Sequence, residues 1–134
     1  MFDLDLLKKE VEKKGAIIHA PKSLLLVHTA PVGDGTPHIE LTKDGCFYVS
    51  SERGYEIFRE RIKDFDELVY RIFDDVTTHM ASDYELMNRI DTQDCRRLIF
   101  KRKLELLNKI NHEWKDRGKV AIEAILKESP YLDE

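Results

Sequence analysis

The sequence predicts an α+β fold: a small antiparallel sheet of three or four strands followed by three C-terminal helices, with a short N-terminal helix ahead of them. Three observations predict it. Two turn signals, Lys43-Asp44-Gly45 and Glu52-Arg53-Gly54, separate β-prone runs and read as hairpin connections. Beyond Arg61, apolar residues recur three and four apart almost to the end of the chain, the spacing of helix faces. The order helix, strands, helices is that of an α+β domain with helices packed on one sheet face. At 134 residues the chain has the size of one ordinary domain, so residues 1–134 are read as a single unit.

Leu4 to Lys14 reads as a short helix. Leu4, Leu7 and Val11 share a face, lysines crowd the last turn, and Gly15 stands where a left-handed terminating residue is wanted. Pro21 stops that helix from continuing. Leu24 to His28, an apolar run bounded by Pro21 and Pro31, reads as a buried strand. Pro31 to Pro37, PVGDGTP, is turn chemistry throughout and reads as a surface loop. His38–Thr42 and Cys46–Ser50 form a hairpin, with Phe47 and Val49 on one side of the return strand and Cys46 and Tyr48 on the other. Tyr55 to Arg61 completes a meander, Tyr55 and Ile57 alternating with Glu56, Phe58 and Glu60.

The first long helix spans Phe65 to Ile90, its inner face running from Phe65, Leu68 and Val69 through Ile72, Phe73 and Val76 to Met80, Met87 and Ile90. Asp64 is placed to accept the amide of Glu67, and Glu67 to reach back, in a capping box. The outward face reads Asp66, Glu67, Arg71, Asp74, Asp75 and Thr78, and Ser82-Asp83-Tyr84-Glu85 offers a second helix start. A helix over Asp94–Ile110 turns Ile99, Phe100, Leu104, Leu107 and Ile110 inward. Another over His112–Glu128, capped by Asn111, turns in Trp114, Ala121, Ile122 and Ile125, and Pro130 ends it.

Composition narrows the function. Apolar residues make up 42% and charged residues 36%, with a net charge of −4, which suits a soluble domain and argues against a general nucleic-acid binder. No apolar run approaches bilayer length, and the acidic, amphipathic start MFDLDLLKKEVEKK is unlike a secretory signal. Cys46 and Cys95 form no CxxC, which fits a reducing compartment; the expected location is the cytoplasm. His19, His28, His38, His79 and His112 fall in no metal-ligand spacing. There is no GxSxG, Walker or GxGxxG pattern. A Cys–His nucleophile pair forms in space and is not decided by spacing, though Cys46 reads better as a strand residue. The reading assigns no catalytic residue, no metal and no cofactor.

Charge is segregated along the chain. Asp64 to Asp94 holds nine Asp/Glu against two Arg, and the bland reading of that helix is a solvated face. The sharper reading is a recognition surface whose negative field steers a basic partner. Cys95 to Lys119 holds nine Lys/Arg against three acids, a run that a nucleic-acid-binding regulator would use. Phe100 and Trp114 fall on apolar faces there, so pairing of these bases with the neighbouring acidic helix is the preferred account.

Several strings carry a resemblance. They are Glu52-Arg53-Gly54, then Asp66-Glu67-Leu68 with Tyr70, Ile72 and Phe73, then Met80-Ala81-Ser82-Asp83-Tyr84-Glu85-Leu86 with Arg89. Gln93-Asp94 with Arg96-Arg97 and Phe100, then Leu106-Leu107, Trp114 and Pro130, complete the set. In order and spacing, from about His38 onward, this resembles a bacterial polymorphic-toxin immunity family, the immunity protein 63 family. The resemblance implies a cytosolic antidote, as in contact-dependent growth inhibition, that binds and blocks a cognate toxin C-terminal domain and has no enzymatic activity. The acidic helix suits a basic target, such as a nuclease by analogy with delivered toxins as a class, and no direct nucleic-acid or membrane partner is expected. Glu52, Arg53, Tyr84, Glu85, Arg89, Asp94, Arg96 and Arg97 are read as a charged, structural network joining sheet to helices. The expected toxin contacts are Asp66, Glu67, Asp74 and Asp75, with Asp83 beside them.

Overall fold

Asp3 starts the fold. Its carboxylate accepts the N–H groups of Asp5 and Leu6 at 2.9 and 3.1 Å and opens helix α1 (Leu4–Ile17). Across residues 2–134, which the computed structural model describes, the order is α1, strands β1 (Asp34–Thr42), β2 (Gly45–Glu52) and β3 (Tyr55–Ile62), then helices α2 (Phe65–Met87), α3 (Cys95–Ile110) and α4 (His112–Glu128). The strands form one antiparallel sheet in the order β1-β2-β3, so the α+β class read from the sequence is the class observed. The chain divides into two compact units, and the divisions fall within α1, between Ala20 and Pro21, and within α2.

The first unit holds the opening of α1 through Lys13 and Pro21–Arg71. Thr42 pairs with Gly45 around Lys43-Asp44, and Glu52 pairs with Tyr55 around Arg53-Gly54. Arg53 and Gly54 have φ of 51° and 84°, the two positive values of a type I′ turn, whose twist suits a hairpin. Ile39, Cys46, Tyr48, Val49 and Ile62 are buried, as are Leu68, Val69 and Tyr70 at the start of α2. Asp64 caps α2 as expected, accepting the Glu67 N–H at 2.9 Å.

Two expectations in this unit fail. Leu24–His28 is not a buried strand: Pro21 turns the chain into a 3-10 turn (Lys22–Leu25), the Leu24 N–H donating to the Pro21 carbonyl, and Leu26 is 64% exposed. Too few residues remain for a ladder, and the His28 carbonyl accepts a single bond from the Ile39 N–H. The loop read over Pro31–Pro37 becomes strand from Asp34, because Gly33 and Gly35, at φ 93° and 90°, absorb an irregular register between Asp34 and Pro37. On β3, Tyr55 and Ile57 are exposed, a bulge opposite Ser50-Ser51 having shifted the alternation.

The second unit holds Lys14–Ala20 and Ile72–Glu134. Helix α1 runs past Gly15, and His19, at φ 54°, is the left-handed residue. The Ala20 N–H reaches the Gly15 carbonyl and the His19 N–H the Ala16 carbonyl, a Schellman ending one turn later than expected. Helix α2 continues through Ser82 and stops at Met87, leaving Met87 and Ile90 exposed.

Phe73, Val76, Ala81, Leu106, Leu107 and Ile122 are buried in this unit, and the Phe73 and Trp114 rings stack at 5.9 Å. On α4 the buried residues are Gly118 and Ile122, whereas Ala121 and Ile125 are exposed. A Cβ at Gly118 would lie 2.8 Å from Leu107 Cδ1 and 3.3 Å from Leu104 Cδ2, so glycine lets α3 and α4 approach closely. That approach rotates α4 away from the face drawn through Ala121 and Ile125. Asn111 caps α4, its side chain accepting from the Glu113 and Trp114 N–H groups.

Candidate functional site

The residues with the densest polar contacts are not the acidic helix but the start of α3. Asp94 caps α3 by accepting the Arg96 N–H at 2.9 Å, and the same carboxylate accepts the Leu132 N–H at 2.9 Å and the Arg96 guanidinium at 2.8 Å. Arg96 also donates to the carbonyls of Ser129 and Pro130, at 2.8 and 2.9 Å. Arg97 grips Asp133 with two parallel bonds, and the Asp133 carboxylate in turn accepts the Asp94 N–H at 2.8 Å. The Tyr131 ring lies 4.1 Å from the Arg97 guanidinium and beside Phe100. The result is a clamp that holds residues 129–134 on α3.

These bonds set the charge states. The Arg96 guanidinium, followed by the N–H groups of Leu132 and Arg96, holds the Asp94 carboxyl well below the ordinary carboxylate range. Arg97, then the Asp94 N–H, holds Asp133 below it as well.

The other residues of the expected charged network lie elsewhere. Glu52 and Arg53 form the exposed β2–β3 turn. Glu85 is 3% exposed and pairs with Arg89 one turn on, at 2.9 and 3.0 Å, which keeps its carboxyl ionised below the usual range. The Tyr84 ring takes the Arg102 guanidinium at 4.9 Å.

Along α2, Asp66 and Asp83 are exposed, while Glu67, Asp74 and Asp75 are half-buried. Asp74 is bonded to Lys103 of α3, and Lys103 also donates to the Thr78 hydroxyl at 2.9 Å. Pairing between acidic and basic stretches therefore occurs at this point, and Asp74 presents less net charge than the sequence suggests. At about 100° per residue, Asp74 and Asp83 fall on opposite sides of the helix. With Arg96, Arg97 and Lys103 committed to internal partners, the basic run is no continuous cationic track.

One further cluster lies on the sheet. His38 is 1% exposed, and its Nε2 lies 2.8 Å from Glu40, which is shared with Arg59. His38 Nδ1 is the buried side-chain polar atom without a hydrogen-bond partner among the described residues. His38 is opposite Val49 and Cys46 is opposite Leu41, which puts the imidazole and the thiol on opposite faces of the sheet. Burial also pushes the Cys46 thiol up, away from thiolate. Among the described residues no His, Cys, Asp and Glu group is arranged to hold a metal ion, and no helix is long and apolar enough to cross a membrane.

The comparison that decides the family covers this same stretch of chain. The family model for immunity protein 63 matches residues 43–124, from the first hairpin turn into α4. The chain belongs to the immunity protein 63 family. Searches among curated proteins and among solved structures gave no match. Membership in an immunity protein family points to toxin immunity, implies a cognate toxin as partner and suggests an inhibitor without catalysis. The clamp draws on both sides of the match: Asp94, Arg96 and Arg97 lie inside it, while the residues they hold, 129–134, lie beyond it. Sequence reasoning singled out the three clamp residues but not Tyr131 or Asp133, whose role depends on a return of the chain that no local pattern signals.

Proposed function

We propose that this immunity protein 63 family member is an antidote that binds a cognate delivered toxin domain directly and neutralises it. In this reading it acts in the cytoplasm, as one immunity domain over residues 1–134, in contact-dependent growth inhibition or a related polymorphic-toxin system. The observation that carries the reading is the family match across residues 43–124. The acidic stretch from Asp64 to Asp94 supports a more specific target, a basic domain such as a nuclease whose phosphate-binding cleft meets carboxylates of α2. The proposed contacts are Asp66, Glu67, Asp75 and Asp83, with Asp74 contributing less because Lys103 offsets it.

The test begins with the adjacent genome sequence, read for an upstream frame encoding a large secreted protein, and continues with a titration against the C-terminal domain of that product at low and high salt, together with growth rescue of cells expressing that domain. A tight one-to-one complex that abolishes toxicity, with association slowing as salt rises, supports the proposal. No binding to that domain, with salt-dependent retention on RNA or DNA, would transfer the assignment to a nucleic-acid-binding regulator.

A further inference from the structure

The end of α2 and its link to α3 leave a run of large apolar side chains in solvent. Tyr84, Leu86, Met87 and Ile90 are 40, 63, 84 and 44% exposed. Single exposed apolar residues are ordinary, but a cluster rimmed by polar groups marks an interaction site. The rim here is acidic. Asp83 and Asp91 flank the run, both are exposed, and neither forms a salt bridge among the described residues. The nearby cations are already engaged, Arg89 by the buried carboxylate of Glu85 and Arg102 by the Tyr84 ring and Glu105.

The patch is also held rigid before any partner arrives. The Arg89–Glu85 pair braces the last turn, the Asn88 side-chain amide donates to the Tyr84 carbonyl at 2.9 Å, and Arg102 lies against the Tyr84 ring. The Gln93 N–H closes onto the Ile90 carbonyl at 3.0 Å. A surface ordered in advance loses little conformational entropy on binding.

We infer that this end of α2 is the anchor by which the protein grips its cognate toxin domain, and that the toxin face it meets is an apolar hollow edged with Lys or Arg. The inference rests on the immunity reading above and names the residues that hold the complex together. Charge selects this occupant. A two-fold contact with a second copy would bring Asp83 and Asp91 toward their own images, and the two cations beside the patch, Arg89 and Arg102, are already held by Glu85 and Glu105. Nucleic acid and an anionic bilayer would be repelled by the same carboxylates. Buried apolar anchors set how slowly a complex dissociates, and rim charge sets how fast it forms.

The probe is the purified C-terminal domain encoded upstream, followed by binding kinetics. The double variant Leu86→Ser/Met87→Ser is expected to raise the dissociation rate roughly 100-fold while association changes less than about threefold. Asp83→Lys/Asp91→Lys is expected to slow association about tenfold and to remove most of its salt dependence. Met87→Leu, which preserves the apolar volume, keeps the wild-type rates. Both apolar positions are well exposed, so the thermal melt should be unchanged. A wild-type measurement needs no substitution at all: with methyl-labelled methionine, the Met87 signal should shift on adding the domain while that of half-buried Met80 stays. If the wild type binds but the serine variant dissociates no faster and the Met87 signal stays, the anchor is elsewhere and the immunity reading survives. If the wild type does not bind the domain, both readings are lost. A wild-type dimer that the serine variant abolishes would overturn the inference in favour of a second copy.

Discussion

The guanidinium of Arg97 and the carboxylate of Asp133 meet fork to fork at 2.7 and 2.9 Å, 36 residues apart in the chain. Together with Asp94 and Arg96 this pair fastens residues 129–134 to the first turn of α3. The clamp consists of charged, hydrogen-bonded groups, so its strength depends on ionisation.

Acid should therefore loosen it. Asp94 and Asp133 titrate below their ordinary values in the folded protein, so their stabilisation is complete above about pH 4, the unfolded-state range, and is lost as pH falls through the lower folded-state values. Hydrogen exchange at the Leu132 and Glu134 amides, expressed as protection factors, should show residues 129–134 released on acidification before the amides of α3 open. Asp133→Asn should weaken protection of the Glu134 amide already at neutral pH with little change in the thermal melt. Equal protection in the variant would show that the Arg97 pair does not hold the segment.

A side chain at Gly118 should bring no net stability, and a large one should cost some. Alanine gains about 1 kcal/mol of helix propensity over glycine, but its Cβ would stand 2.8 Å from Leu107 Cδ1, and overpacking costs about 1–3 kcal/mol. Gly118→Ala is expected to be neutral to mildly destabilising, and Gly118→Leu to lose roughly 2 kcal/mol or more. Combining Gly118→Ala with Leu107→Val should cost less than the sum of the two, read from urea unfolding as a double-mutant cycle.

Asn111 serves two helices. Its side chain accepts from the Glu113 and Trp114 N–H groups, and its own N–H ends α3 at the Leu107 carbonyl. Asn111→Ala removes only the first function and should cost about 1 kcal/mol in chemical denaturation, whereas Asn111→Asp should retain most of the cap.

Two aspartates on the same helix should differ in their effect on toxin association. Asp83 is exposed without a salt-bridge partner, whereas Asp74 is bonded to Lys103. Charge reversal at Asp83 is expected to slow association with the upstream-encoded domain several-fold. Asp74→Asn should chiefly lower stability, by leaving the Lys103 ammonium, 13% exposed, without its carboxylate. Equal kinetic effects at both positions would argue that the two charges act only through the overall field.

What could be read from the chain alone was whatever local chemistry decides. The turns at Lys43-Asp44-Gly45 and Glu52-Arg53-Gly54, the caps at Asp64 and Asn111, and the spans of α3 and α4 follow from residues within a few positions of one another. The family strings could also be read, because they are themselves sequence. Tertiary structure alone decided which apolar residues lie inside. Leu26, Tyr55 and Met87 are exposed although each continues a plausible apolar pattern, while Gly118 and Thr77 are buried although neither signals a core. It also decided which charges remain available: Asp74 and Arg97 find partners 29 and 36 residues away, and Asp83 does not. Hydrophobic periodicity specifies a helix face only to within about one residue's rotation, roughly 100°, and an ion pair needs two chain segments to arrive at one place. Both depend on how elements pack, which is a property of the folded chain rather than of any window within it.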